Sequence, residues 1–253
     1  MNDGAVITST QNDFVRISRS LHEKKGRQEQ KAFLVEGHKC VDELITYAPI
    51  LLRAMIVTEG GGQEWTEKAV KMGKRVVTVA PHVMKALCDC KTPQSVAAVA
   101  DLPDGEEAYQ GFIVALDDVQ DPANVGTIIR TADAAGCAGV VLSAGSADPF
   151  SPKAVRASMG SLFHLPVVRT ELRPYVEKLR QSGIRVACAD LTGTTAFSLD
   201  ADTTCLVIGN EARGISKEIS DIADIRVRIP IYGKAESLNA AVAAGILIYK
   251  IRS

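Results

Sequence analysis

In the second half of the chain, short uninterrupted apolar runs alternate with helical patterns, and this most restricts the fold. Strands are expected at 112–116, 139–142, 165–168, 184–188, 205–208 and 226–229, with helices near 124–135, 152–158, 172–182, 215–221 and 238–251. Continuous apolar strands between helices imply a parallel sheet covered on both faces. Such sheets bind ligands in the loops after the carboxyl ends of their strands. Three of those loops are polar turns that follow apolar runs: one near Asp118 to Arg130, one at Gly209–Gly214 and one at Glu236–Asn239.

The first hundred residues alternate more loosely. A helix is expected over 10–25, with Phe14, Ile17 and Leu21 at helical spacing and Arg16, Arg19, Lys24 and Lys25 beside them. Lys24-Lys25-Gly26-Arg27 reads as a basic loop. Strands at 33–35, 53–58, 75–79 and 95–100 and helices at 36–47, 64–72 and 82–87 make a second α/β unit. Residues 101–107, polar and carrying Pro and Gly, read as a linker between a domain at 1–103 and one at 108–253.

Bulk properties exclude several classes. With 46% hydrophobic and 23% charged residues and a net charge of −1, the chain suits a soluble globular protein. It has no apolar run of membrane-spanning length, and its first residues lack a signal-peptide pattern. The six cysteines lie scattered in mostly apolar runs, as reduced buried thiols of a cytoplasmic protein would. Cys88 and Cys90, with only His82 near, lack zinc-ligand spacing, and the four histidines form no paired motif, so no metal is expected.

The terminal segment from Leu238 to Ile248 is nearly all Ala, Val, Gly, Ile and Leu. A helix without a polar face is read as buried all round, and a subunit interface is one way to cover it. Ser237 suits its N-cap, whereas Asn239 just inside needs partners for a buried amide. Taken singly, each polar turn is compatible with a surface arginine or an ordinary cap. The chain holds no G-x-G-x-x-G, no phosphate-binding P-loop and no G-x-S-x-G.

Taken in order, Pro122-x-Asn124-x-Gly126-x-x-x-Arg130, Gly209-Asn210-Glu211-x-x-Gly214 and Ile229-Pro230-x-x-Gly233-x-x-Glu236-Ser237-Leu238-Asn239 resemble the three motifs of the SpoU/TrmH family of RNA 2′-O-ribose methyltransferases. The run Ser151 to Gly160 leading to Leu165-Pro166-Val167 is similar to the stretch between the first two motifs. The resemblance covers 108–253, and residues 28–46 resemble the start of an RNA-binding extension found in rRNA-directed members.

The resemblance implies a SPOUT-type α/β domain with a trefoil knot, preceded by a smaller α/β RNA-binding domain. It implies S-adenosyl-L-methionine as cofactor, held by the backbone at Gly209, Ile229 and Leu238, and a homodimer through the knotted region. Arg130 is assigned to the catalytic step with Asn124, Glu211, Ser237 and Asn239 around it. Arg130 acts there either as the base that takes the ribose proton or, since arginine is normally protonated, as an electrostatic or phosphate-binding group. Beside such a domain, Arg16, Arg19, Lys24, Lys25 and Arg27 are expected to contact RNA phosphates. The expected substrate is ribosomal RNA of the 23S type. Transfer RNA and a drug-site rRNA nucleotide are alternatives, as is a non-catalytic RNA-binding protein on the same scaffold.

Overall fold

The structure, a computed structural model, describes residues 5–195 and 198–253. It forms two compact units, one of residues up to Asp104 together with Phe150–Phe163, the other of Gly105–Pro149 and His164–Ser253.

In the first unit, α1 (Asp13–Ser20) and α2 (Lys24–Gln30) precede β1 (Ala32–Glu36) and α3 (His38–Tyr47). Then follow β2 (Leu52–Thr58), α4 (Gln63–Lys71), β3 (Arg75–Val79), α5 (Pro81–Leu87) and β4 (Val96–Asp101). The sheet order is β1-β4-β2-β3, with β4 antiparallel to both neighbours and β2 parallel to β3. One face of the sheet buries Leu34, Ala54, Ile56, Val77 and Val99 against Val15 and Leu21 of the α1 segment and Val83, Met84 and Leu87 of α5.

The single helix expected over 10–25 is two helices. Asn12 caps α1 through its side chain, and the chain turns at Leu21–Glu23 before α2. The supposed basic loop is therefore helical. Its glycine is a packing requirement: a Cβ on Gly26 would lie 2.0 Å from the Ser20 carbonyl oxygen. Arg27 is only 4% exposed, and its guanidinium donates to the carbonyls of Leu21 and His22 at 2.8 Å each. That corrects its assignment as an RNA contact: the cation satisfies orphan carbonyls at the end of α1.

The second unit contributes β5 (Ile113–Asp117), α6 (Pro122–Ala134) and β6 (Gly139–Leu142). Next in the chain comes α7 (Pro152–Ser158), which packs on β1 and so belongs with the first unit. The second unit resumes with β7 (Val167–Arg169), α8 (Leu172–Gln181), β8 (Arg185–Thr194), β9 (Thr204–Gly209), α9 (Lys217–Ser220), β10 (Ile225–Val227) and α10 (Ala240–Arg252). Its strands form one parallel sheet in the order β10-β8-β9-β5-β6-β7, as the alternation implied. Ile229 lies just past β10 rather than inside it.

The α10 helix departs from its sequence reading in two ways. Its N-cap is Asn239, whose Oδ1 accepts from Ala241 N and Val242 N at 2.9 and 3.2 Å, so Ser237 is not the cap. Only one side is buried, through Ala240, Ala241, Ala244, Leu247, Ile248 and Ile251. Val242, Ile246 and Tyr249 are 43–52% exposed. Their spacing of three to four residues sets them on one face of the helix. Composition alone cannot separate a helix buried all round from one with an apolar face left open.

Candidate active site

The register of the central strands brings two polar turns together. Asp117 at the end of β5 lies opposite Gly209 at the end of β9. A Cβ on Gly209 would come within 2.4 Å of Gly214 C and Ile215 N, so the second turn can fold back on its strand only over a glycine. Asn210 closes that turn: its Oδ1 accepts from Ala212 N and Arg213 N at 2.9 and 3.0 Å, and its Nδ2 donates to the Asp118 carbonyl at 2.8 Å. Asp118 has a left-handed backbone (φ 62), held by that bond and by its own N–H to Ser143 Oγ at 2.9 Å. Its carboxylate pairs with Arg213 at 2.7 Å.

A chain of hydrogen bonds then joins all three turns. Asn239 Nδ2 donates to Asn124 Oδ1 at 3.0 Å, and Asn124 Nδ2 donates to Glu211 Oε1 at 2.9 Å. Glu211 also accepts the main-chain N–H groups of Gln120 (3.1 Å) and Asp121 (3.3 Å) ahead of α6. Asn124, 8% exposed on the first turn of α6, is the hub. Burial acting alone would raise the Glu211 carboxyl, but the bonds from Asn124, Gln120 and Asp121 outweigh it and hold the group below the ordinary glutamate range.

These donors favour the ionised carboxylate, and the sign for stability follows. A lowered folded-state pKa contributes stability that is complete above the unfolded glutamate value and is lost as pH falls through the folded one. For Glu211→Gln we expect a stability loss of about 1 kcal/mol at neutral pH, small because the group is partly solvated. Thermal unfolding of both proteins from pH 3 to 7 checks this. The gap should narrow toward acid, and a gap that ignores pH would remove the carboxylate from this role.

Arg130 and Ser237 differ from this hub. Both are exposed, and neither makes a hydrogen bond or ion pair among the described residues. Arg130 lies six residues beyond Asn124 on α6, about 9 Å along the axis. The site thus consists of a satisfied polar frame and two uncommitted side chains.

Beside the third turn is a cleft of about 110 Å³ reached by Asp190 and Leu191 of β8, by Ile229 and Ile231, and by Ser237 and Leu238. Of the expected cofactor positions, Ile229 and Leu238 line it, while Gly209 does not. The main-chain groups of Ile229 and Leu238 make no hydrogen bond among the described residues. Apolar side chains with unused backbone donors and acceptors fit the adenosine end of S-adenosyl-L-methionine, although a cleft this size takes only part of that molecule. The sequence reading passed over Asp190 and Leu191 at this cleft. It also passed over Gln120 and Asp121, which act through main-chain N–H groups and leave no side-chain signal.

In the first unit the expected RNA contacts divide. Arg16 pairs with Asp13 at 2.8 Å and Lys25 with Glu29 at 3.8 Å, both as helix neighbours, while Arg19 and Lys24 are exposed. Glu36, Cys88 and Cys90 bring ligand atoms within 4.8 Å of one another. The Glu36 oxygens, however, accept from Asp89 N (2.8 Å) and Cys90 N (3.3 Å), and Arg156 lies 3.3 Å away. Burial, then the nearby Glu36, raises the Cys88 thiol, which keeps it protonated. A guanidinium and hydrogen bonds hold this cluster together. All six cysteines are free, five of them buried.

Known proteins resemble this chain in sequence and fold. Residues 111–249 match the model of the SpoU rRNA Methylase family, and residues 12–98 match the MRM3-like substrate binding domain. The 23S rRNA (guanosine(2553)-2′-O)-methyltransferase RlmP of Bacillus subtilis is 36% identical over 97% of this chain and 98% of its own. The AdoMet-bound rRNA methyltransferase from Sinorhizobium meliloti superposes with a TM-score of 0.84 at 33% identity, over 97% of this chain and 96% of that one. The SpoU methyltransferase AviRb from Streptomyces viridochromogenes, in complex with AdoMet, does so at 0.83 and 29%, over 94% and 97%.

Proposed function

The chain belongs to the SpoU rRNA methylase family, and from that premise we propose that it methylates the ribose 2′-hydroxyl of ribosomal RNA, of the 23S type, using S-adenosyl-L-methionine. The observation that carries this reading is the Glu211–Asn124–Asn239 hydrogen-bond chain. It fastens three loops from distant parts of the sequence into one frame and leaves Arg130 and Ser237 free for substrate.

The residues divide the work accordingly. Ile229 and Leu238 offer backbone groups to the adenosine, and the cofactor supplies an electrophilic methyl on its sulfonium. Asn124, Glu211 and Asn239 are positioning residues that hold the loops fixed while the substrate enters. A guanidinium does not give up its proton in proteins, so Arg130 is the electrostatic group rather than the base. Placed at the ribose or its phosphate, it stabilises the negative charge that develops on the 2′-oxygen. Ser237 is the hydroxyl available to bond the ribose. The proton leaves to solvent, to which this side of the site is open.

The finer points of the reading rest on the same residues. The open apolar face of α10 is the seat of a second copy, and residues 206–253 form the knotted segment that the family resemblance implies. Arg19 and Lys24, with Arg16 and Lys25, bring phosphates to the first unit. The enzyme works in the cytoplasm. No helix among the described residues is long and apolar enough to cross a membrane.

Incubation with unmodified ribosomal RNA and tritiated S-adenosyl-L-methionine tests the reading. We expect label in a 2′-O-methylated nucleoside, mapped by mass spectrometry to one ribosomal nucleotide. Label in transfer RNA alone would move the substrate, and absence of cofactor binding by calorimetry would sink the enzyme.

A further inference from the structure

A second cavity lies in the first unit, between α1 and the sheet. It measures about 140 Å³. Phe14, Ile17 and Leu21 on the helix side and Ala54 and Val99 on the sheet side make its lining largely apolar. Three polar features break that lining. Ser18 is 2% exposed, yet its hydroxyl makes no hydrogen bond among the described residues. The Gln30 side-chain amide, also lining the cavity, is likewise without a partner among them. Arg75 places its guanidinium 5.0 Å from the centre of the Phe14 ring.

An aliphatic side chain would be a poor occupant, because it would bury the Ser18 hydroxyl and the Gln30 amide with nothing to bond. A phosphate would meet mostly hydrocarbon. A flat heteroaromatic ring satisfies all three features: one of its faces packs against the edge of the Phe14–Arg75 stack, whose 5.0 Å spacing admits nothing between the two, and its own edge meets the hydroxyl and the amide. We propose that this cavity receives one unstacked nucleobase of the substrate RNA, recognised on its edge by Ser18 and Gln30. Arg53, clamped by Asp101 at 2.7 Å and by the Gln30 carbonyl at 3.0 Å, fixes the rim and leaves base reading to the other groups. The inference rests on the RNA-directed reading above and adds to it a recognition site away from the methylated ribose.

Photo-crosslinking tests it with the full chain. The probes are ribosomal RNA transcripts carrying 4-thiouridine or 6-thioguanosine, with crosslinked peptides identified by mass spectrometry. A crosslink to the peptide holding Phe14 to Leu21 or to Arg75 is expected. Phe14→Leu, which keeps the cavity apolar, should weaken RNA binding about tenfold, the size of one stacked base. Gln30→Ala should weaken it to a smaller and base-dependent extent. Unchanged S-adenosyl-L-methionine affinity and melting temperature certify that the variants fold. Crosslinks confined to other peptides, or RNA affinity unchanged in both variants, would overturn the proposal. A protein that methylates no RNA but crosslinks at this cavity would keep the pocket and discard the catalytic reading. Capture of an apolar peptide here, with no RNA crosslink, would also count against it.

Discussion

Arg130→Ala is expected to lower methyl transfer at saturating RNA and cofactor by about 10²–10³-fold, the usual effect of deleting one group that stabilises charge in a transition state. Cofactor affinity, read by calorimetry, should stay close to that of the unaltered protein. The separation follows from the geometry: Arg130 is exposed and bonds to nothing among the described residues, so no part of the frame depends on it. Arg130→Lys keeps the charge but loses the planar fork that grips phosphate and oxyanion, and we expect it to recover only a small part of the rate. A fully active alanine variant would take Arg130 out of the mechanism. Weakened cofactor binding would instead place it among the groups that hold the methyl donor.

The second large effect is expected at α10. Ile246→Asp puts a carboxylate into the middle of the open apolar face formed with Val242 and Tyr249. An unpaired charge buried in an interface costs about 3–5 kcal/mol, so the dimer dissociation constant should rise by about 10²–10³-fold or more. On the second-copy reading proposed above, sedimentation velocity should give a dimer for the unaltered protein and a monomer for the variant. In the isolated chain Ile246 is 43% exposed, so the substitution leaves the fold of one copy intact. A variant with unaltered mass would refute this face as the contact.

Legibility in the sequence followed the physics of each element. The central strands of the second unit, β5, β6 and β9, stood out because they are buried on both faces and lack polar interruption, and the parallel sheet followed. The three turns could be ordered as motifs from their residues, yet their joining through Asn124 is a contact between positions 87 and 115 residues apart, which no local pattern encodes. Helix ends were less legible. Asn239 and Ser237 are both good caps by type, and only the backbone geometry selects Asn239. Arg27 failed for a similar reason: a cation in a basic run looks solvated until the chain folds two carbonyls onto it. Main-chain donors such as Gln120 N–H were invisible, because any residue supplies one.

The run Phe150–Phe163 lies inside the stretch matching the methylase family but packs with the first unit. There Phe33 meets Phe150 and Phe163 at ring distances of 5.0 and 6.2 Å, and Arg156 neutralises Glu36, whose side chain is 3% exposed. A fragment cut at residue 104 would strand that carboxylate in an apolar interior without its cation and open the aromatic cluster to water. The first unit is therefore not portable as a contiguous piece. Any chimera that transplants it must graft residues 150–163 as well, or accept a recipient whose borrowed module lacks part of its own core.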